Sequence, residues 1–375
     1  QLNARIELGI PMNSAVLFLD GQKELELATL MVNDKMLIDY TIDVLRRLDL
    51  DSIFLIGGEN VHIDGVVNRS SIEEIVGDLS SKDGKCLLLS PFYPLIEKED
   101  FLSLIKQENS VFYNEELVPV FCLNNKDIEA FETLEYKAVT ITSENSKRFG
   151  SIKDIPFVWK TIKNRIIDKH MNNGVIIEEP DNVSIGIDVK IDKGTVIGPY
   201  VSISGKSSIG KNNRIGKGST IKDSKLGDDN EIDDSKLYDT AIGNNCIIGP
   251  NSLVDSKCFI GDNTRVASFV KLSNCRLAND CVVDHLSCLS NTTLRNNVRV
   301  GASVTTANNK LTMVGSYSEI GNNVNLISPL YVGSYAFVAA GSTIDKNVEN
   351  GDLAIARLYQ QNKKGYGYKY TKEGQ

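Results

Sequence analysis

Histidine is scarce here: 375 residues contain only three, His62, His170 and His285, so imidazole chemistry has few places to sit. Paired cysteines are missing as well. The seven cysteines are an odd number and none forms a CxxC pair, which points to neither a disulfide framework nor a zinc site. A reduced, cytoplasmic setting is the expectation. No run of eighteen apolar residues and no charged-then-apolar leader occurs, so neither a membrane span nor export is expected. A basic surplus is also lacking. With 41 Lys and Arg against 49 Asp and Glu, the net charge of -8 argues against broad nucleic-acid binding. What remains, 41% hydrophobic and 24% charged, is the composition of a globular protein long enough for two domains.

The strongest positive signal is a period. Ile185, Ile191, Ile197, Ile203, Ile209, Ile215 and Ile221 recur every six residues. Ile242, Ile248, Val254, Ile260 and Val266 continue the pattern, as do Ile320, Leu326, Val332, Val338 and Ile344. Six is neither the helical period of 3.6 nor the strand period of 2. It is the period of hexapeptide repeats, which wind three short strands into each triangular coil of a left-handed parallel β-helix. The aliphatic residue faces inward. The residue two places before it is small, and Cys246, Cys258, Cys275 and Cys281 occupy that place as buried filling. Glycine and Asn/Asp take the corners, where positive φ is cheap for them. Residues 181–348 then make about nine coils. The period slips to five at Leu226, Leu237 and Leu277, and breaks between Val300 and Ile320, marking corners or an ejected loop.

Residues 1–155 read as an α/β domain. Buried strands are expected at 14–20, 52–58, 85–91, 118–123 and 136–142, with a helix at 35–50 between the first two, and this alternation predicts a parallel, Rossmann-like sheet. A helix over 156–174, ending on a glycine C-cap, opens a linker that runs to 180, and 349–375 form a tail. His170 is expected as a polar residue near the end of that helix, and His62 in a loop.

Three stretches carry a family likeness: "NRIIDKHMNNGVIIEEPDNVSI", "CIIGPNSLV" and "YVGSYAFVAAGSTIDKNVENGDLAIARLYQQNKKGY". With the repeats between them they resemble the bifunctional N-acetylglucosamine-1-phosphate uridylyltransferase/glucosamine-1-phosphate N-acetyltransferases of bacteria. The resemblance spans the last 210 residues well and the N-terminal region in outline. It implies a homotrimer, acetyl-CoA as acyl donor and a sugar or sugar-phosphate acceptor. It also implies that His285, in "VVDHLSCLS", is the general base that deprotonates the sugar amine. The period places His285 two residues after the inward Val283, hence outward, with Ser287 filling the small inward place before Leu289. Asn322, Ala340, Arg357 and Lys363 (with Lys364) match the cofactor end of the family, Asn322 in place of a serine. Asn308 and Asn309 remain from a shortened catalytic loop, and Arg299 stands where the family has an asparagine. Arg299 and Asn308 are the expected substrate-binding residues.

Several positions depart from the family. Asp255 and Ser273 stand where its phosphate-binding arginine and lysine would be, and Cys288 replaces a tyrosine. An aspartate facing a phosphate removes a charge-assisted bond and adds repulsion. The family's glycine-rich nucleotide loop reads "LFLDGQKELEL", with Gly21 alone, and its magnesium aspartate falls on Phe92. Magnesium and uridylyl transfer are therefore not expected. Two readings stand: a divergent CoA-dependent N- or O-acyltransferase of the sugar-nucleotide pathway, or a non-catalytic trimeric scaffold or regulatory paralogue in which His285 is an ordinary corner residue.

Overall fold

A computed structural model describes residues 12–32, 35–58, 61–79 and 83–370. The start of the N-terminal domain and the last five residues of the tail lie outside the described residues. The chain divides into two compact units, 1–165 and 166–375.

The first unit is built on one seven-stranded sheet in the order β5-β4-β1-β6-β8-β7-β9. Here β1 is Met12–Phe18, β4 Ser52–Ile56, β5 Val67–Arg69, β6 Lys85–Leu89, β7 Ser110–Asn114, β8 Glu116–Asn124 and β9 Lys137–Thr140. Four strands, β5, β4, β1 and β6, run parallel. Beyond them the sheet is mixed: β8 is antiparallel to β6 and to β7, while β9 is parallel to β7. The expected parallel sheet is present in those four strands; it is extended by a hairpin that turns on Glu115, a non-glycine residue at φ 56. On one face Val16, Phe54, Leu88 and Leu123 pack with Ile75, Leu79 and Ile128. Of the helix expected at 35–50, only α2, Leu37–Arg46, forms; α1 is Gly21–Ala28. The first residues go instead to a two-residue ladder between β2, Met31–Val32, and β3, Lys35–Met36. Among the other elements are α3, Glu73–Leu79, and α4, Lys98–Ile105.

The helix α5, Ile155–Asn172, leads into the second unit, and Gly174 ends it at φ 88. His170 is in its last turn, near the helix end as expected, and it is buried. It lies three and four residues beyond Ile167 and Ile166, on one helical face, and that face is buried. Its Nδ1 has no hydrogen-bond partner, and burial first, then the nearby Lys169, lowers its pKa from the ordinary value. The unfolded chain therefore binds the extra proton first as pH falls through about 6.5, so stability rises with pH across that window. Chemical denaturation of the whole protein is expected to show weaker stability at pH 5.5 than at pH 7.5. His170→Phe should flatten that slope; an unchanged slope contradicts the assignment.

Beyond α5 the chain forms a parallel β-helix of three faces, with eleven, ten and nine strands. The first face starts at Ile176–Ile177, the second at Ser184–Ile185 and the third at Lys190–Ile191. The sixfold isoleucines align coil on coil: Ile197 on Ile215, Ile203 on Ile221, Ile191 on Ile209. Each is buried, and each such stack contributes apolar burial worth about 1.5–3 kcal/mol per side chain. The small inward places carry a polar ladder lower down. Asn230 N–H donates to Asn213 Oδ1 (2.9 Å) and Cys246 N–H to Asn230 Oδ1 (2.8 Å). Cys246, Cys258, Cys275 and Cys281 are buried there, while Cys288 is exposed. Corner residues Asn212, Asp229, Asn245, Asn263, Asp280 and Asn297 share φ between 55 and 60. In the upper coils Tyr317 and Tyr335 take that corner, their rings stacked at 5.1 Å. The break after Val300 is the corner at 308–311, which lengthens the step from Thr305 to its register partner Asn325. At the C-terminal end side chains finish the ladder: Tyr331 N–H donates to Asn347 Oδ1 (2.9 Å) and Ser334 N–H to Asn350 Oδ1 (2.8 Å). Among the described residues no helix is long and apolar enough to cross a membrane.

Candidate functional site

His285 sits at the corner between the first face, where Val282–Val283 is the preceding strand, and the second, where Cys288–Ser290 follows. Val283 is buried, His285 exposed and Ser287 buried, in the order the period requires. The backbone ladder identifies its neighbours in the same column. Leu286 N–H donates to Ser268 O, Ser303 N–H to His285 O, Asn323 N–H to Ala302 O and Gly341 N–H to Asn322 O. Successive coils thus present Ser268, His285, Ala302, Asn322 and Ala340 along one edge. At about 4.8 Å per coil, Asn322 stands about 10 Å and Ala340 about 14 Å from His285 along the axis. No side-chain hydrogen bond engages the imidazole among the described residues. Asp284, its chain neighbour, turns to the first-face side, where it helps line a shallow groove.

That groove, of about 270 Å³, is lined by Asp284, Arg299, Glu319, Asn322, Phe337 and Ala340 among others. Gly321 is required beside it: a Cβ there would lie 2.6 Å from the Ala340 backbone nitrogen. Asn322 Oδ1 accepts from Ala302 N–H (2.9 Å), so its carboxamide NH₂ is presented outward. Arg357 Nη1 donates to Ala340 O (2.6 Å), which holds its guanidinium at the upper end of the column. Lys363 lies past the last coil, 5.6 Å from the Tyr366 ring centroid. Arg299 is an outward residue of the first face, paired in register with Val282 and Glu319. It is therefore beside Asn322 and Ala340 and not on the second face next to Cys288.

Asn308 is not brought to His285 within one chain. It occupies the corner between the second and third faces, where its Nδ2 donates to Ser328 O (3.3 Å). The second face next to His285 carries Cys288 and Ser290, with Lys271 and Ser273 directly below them in register and Asp255 one coil lower. Asp255 Oδ1 is buried without a hydrogen-bond partner. Lys271 was not singled out by motif, although the period itself places it outward one coil beneath Cys288. It is exposed and has no ion pair among the described residues.

In the first unit, Asp20 N–H at the start of α1 donates to Glu24 Oε2 (2.7 Å), so an internal carboxylate sits where a phosphate would be cradled. Phe92 is 1% exposed, its ring 5.7 Å from the Arg148 guanidinium. Among the described residues no group of three His, Cys, Asp or Glu could hold a metal ion.

Residues 188–223 match the model for bacterial transferase hexapeptide repeats. The second unit is a hexapeptide-repeat domain. The chain is similar to the bifunctional protein GlmU of Clostridium novyi, 33% identical over 235 residues, covering 61% of this chain and 51% of the relative. It is also similar to that of Caldanaerobacter subterraneus subsp. tengcongensis, 36% identical over 254 residues, covering 66% and 56%. The chain thus spans about half the length of the curated relatives it matches. Among solved structures, LpxA, a UDP-N-acetylglucosamine acyltransferase from Bacteroides fragilis, is matched at 20% identity with a TM-score of 0.34, over 44% of this chain and 67% of that one.

Proposed function

We propose that the hexapeptide domain is a CoA-dependent acyltransferase acting on an amino or hydroxyl group of a sugar or sugar phosphate, with His285 as general base. The observation that carries this reading is the single corner column in which an exposed, unengaged His285 stands below Asn322 and Ala340. Arg299, Asn322, Ala340 and Arg357 would hold the acyl donor, with Lys363 and Lys364 toward its phosphates. When bound, the donor supplies an activated thioester carbonyl. An ammonium cannot attack it, so His285 takes the proton that the acceptor nitrogen or oxygen must lose. Lys271 is the cation on the acceptor side of the corner. A homotrimer in the cytoplasm belongs to the same reading. Uridylyl transfer and magnesium are not part of it: Glu24 Oε2 accepts the Asp20 N–H, and the buried Phe92 stands where the resemblance would place the magnesium aspartate.

A second reading, a non-catalytic trimeric scaffold or regulatory paralogue, is favoured by one observation: Asp255 keeps a buried, unpartnered oxygen on the face where an acceptor phosphate would lie. The two separate in one experiment. The purified protein is given acetyl-CoA and a panel of amino sugars and sugar phosphates, thiol release is followed, and CoA binding is measured by calorimetry. Acceptor-dependent thiol release is the expected result. A flat calorimetric titration sinks the acyltransferase reading.

A further inference from the structure

A second groove lies on the other side of the β-helix from the His285 column, at the corner between the second and third faces. Its volume is about 530 Å³. Two columns build it. The corner contributes Lys257, Asn274, Asn291 and Asn309 from four successive coils; the third face contributes Phe259, Arg276 and Thr293, paired in register. None of its nine lining residues is acidic, although acids outnumber bases 49 to 41 in the chain. Asp255, two residues before Lys257, does not line it. Neither Lys257 nor Arg276 has an ion pair among the described residues. The Arg276 guanidinium is held 5.1 Å from the Phe259 ring centroid. That contact orients the fork without neutralising it, which is the arrangement that receives a planar or tetrahedral oxyanion.

The groove is polarised along its length. Lys257 is in the lowest coil and Arg276 in the next; Thr293 is one coil step above Arg276, and Asn309 and Leu311 a further step up, about 14 Å from Lys257. The asparagines form a directional chain. Asn274 Nδ2 donates to Asn291 Oδ1, and Asn291 Nδ2 donates to Asn309 Oδ1 (both 2.5 Å). Among the described residues this leaves the Asn309 NH₂ without an acceptor and Asn274 Oδ1 without a donor. Those groups match hydroxyls, each of which both donates and accepts. Leu311, 53% exposed, and Phe259, 41% exposed, offer apolar walls for C–H surface.

We propose that this groove binds a phosphomonoester carrying a neutral, hydroxylated body, its dianion between Lys257 and Arg276 and its hydroxyls along the asparagine chain. Two cations and no carboxylate match a charge near -2. None of its residues belongs to the His285 column, and Asn309 alone comes from the shortened loop that the resemblance links to catalysis. The test is titration calorimetry on the full chain with three probes: glucose 6-phosphate, inorganic phosphate and glucose. Glucose 6-phosphate is expected to bind more tightly than inorganic phosphate, with glucose alone weakest, and the affinity should fall as salt rises. Arg276→Gln and Lys257→Gln should each weaken it about tenfold, the loss of one charge-assisted contact. Lys211→Gln, an exposed corner lysine several coils lower, should leave it unchanged. No binding of glucose 6-phosphate, or equal loss in Lys211→Gln, overturns the proposal. Equal affinity for glucose 6-phosphate and inorganic phosphate overturns the hydroxylated body.

Discussion

Replacing His285 by alanine will lower kcat/KM for thiol release by about 10²–10⁴-fold and leave the thermal midpoint where it was. The size of the loss is that of a general base removed from a proton-transfer step. The unchanged midpoint follows from the structure: the imidazole is exposed, makes no side-chain hydrogen bond among the described residues, and leaves the inward Val283 and Ser287 untouched. Only its backbone carbonyl, which accepts from Ser303 N–H (2.9 Å), is structural, and alanine keeps it. Raising pH should rescue part of the lost rate, because hydroxide and a deprotonated acceptor substitute for the base. Turnover equal to wild type would assign His285 to the corner alone.

Leu289→Ala will do the reverse in kind, costing about 2–5 kcal/mol of stability, as large-to-small changes in a packed core do. Leu289 is fully buried and stacks in register on Leu272. In the next coil the corresponding place is taken by Thr306, whose hydroxyl accepts from Ser290 N–H (2.8 Å). That bond ties the threonine to the strand edge, so it cannot slide in to fill the space. Because each coil touches only its neighbours, the damage should be local. Hydrogen exchange is expected to accelerate in the strands at 271–273, 288–290 and 305–307, with the coil containing Ile203 retaining its protection. Uniform loss of protection along the β-helix would contradict a nearest-neighbour core.

What the sequence made legible follows from how rigidly a feature ties to spacing. Seven isoleucines six apart leave one inward direction, and Ile185 to Ile221 all point there. The same count placed His285 outward and Cys281 inward, since a corner residue and a core residue differ by two positions. Coil number was less legible: the strands at Ile176–Ile177 and Leu353–Ala354 extend the β-helix beyond 181–348, and neither belongs to the uninterrupted isoleucine series. Strand direction in the first unit was legible in part: β5, β4, β1 and β6 follow the parallel expectation, and the antiparallel β8 does not. Hydrophobic runs such as that in β8 read alike in either direction, and the turn at Glu115 uses a residue with no turn preference. The site was half legible. Asn322 and Ala340 fall in the His285 column because the break after Val300 inserts whole residues at a different corner and the register then resumes. Asn308 lies in that insertion, so no count could say which corner it would occupy. Arg299 could be assigned to a strand but not to the groove it shares with Ala340.

The asparagines that close the upper coil also bear on how the protein behaves in company. A stack of parallel strands has no inherent reason to stop, and an open rim of amide and carbonyl groups invites a further strand from another molecule. Asn347 answers the Tyr331 N–H of the last third-face strand with a side-chain oxygen, Asn350 continues the corner bonds to Ser334, and Arg357 occupies the Ala340 carbonyl. A side chain can satisfy the rim without presenting a new one, so it ends the series. These residues act as chain terminators for a shape that could otherwise grow into a fibre.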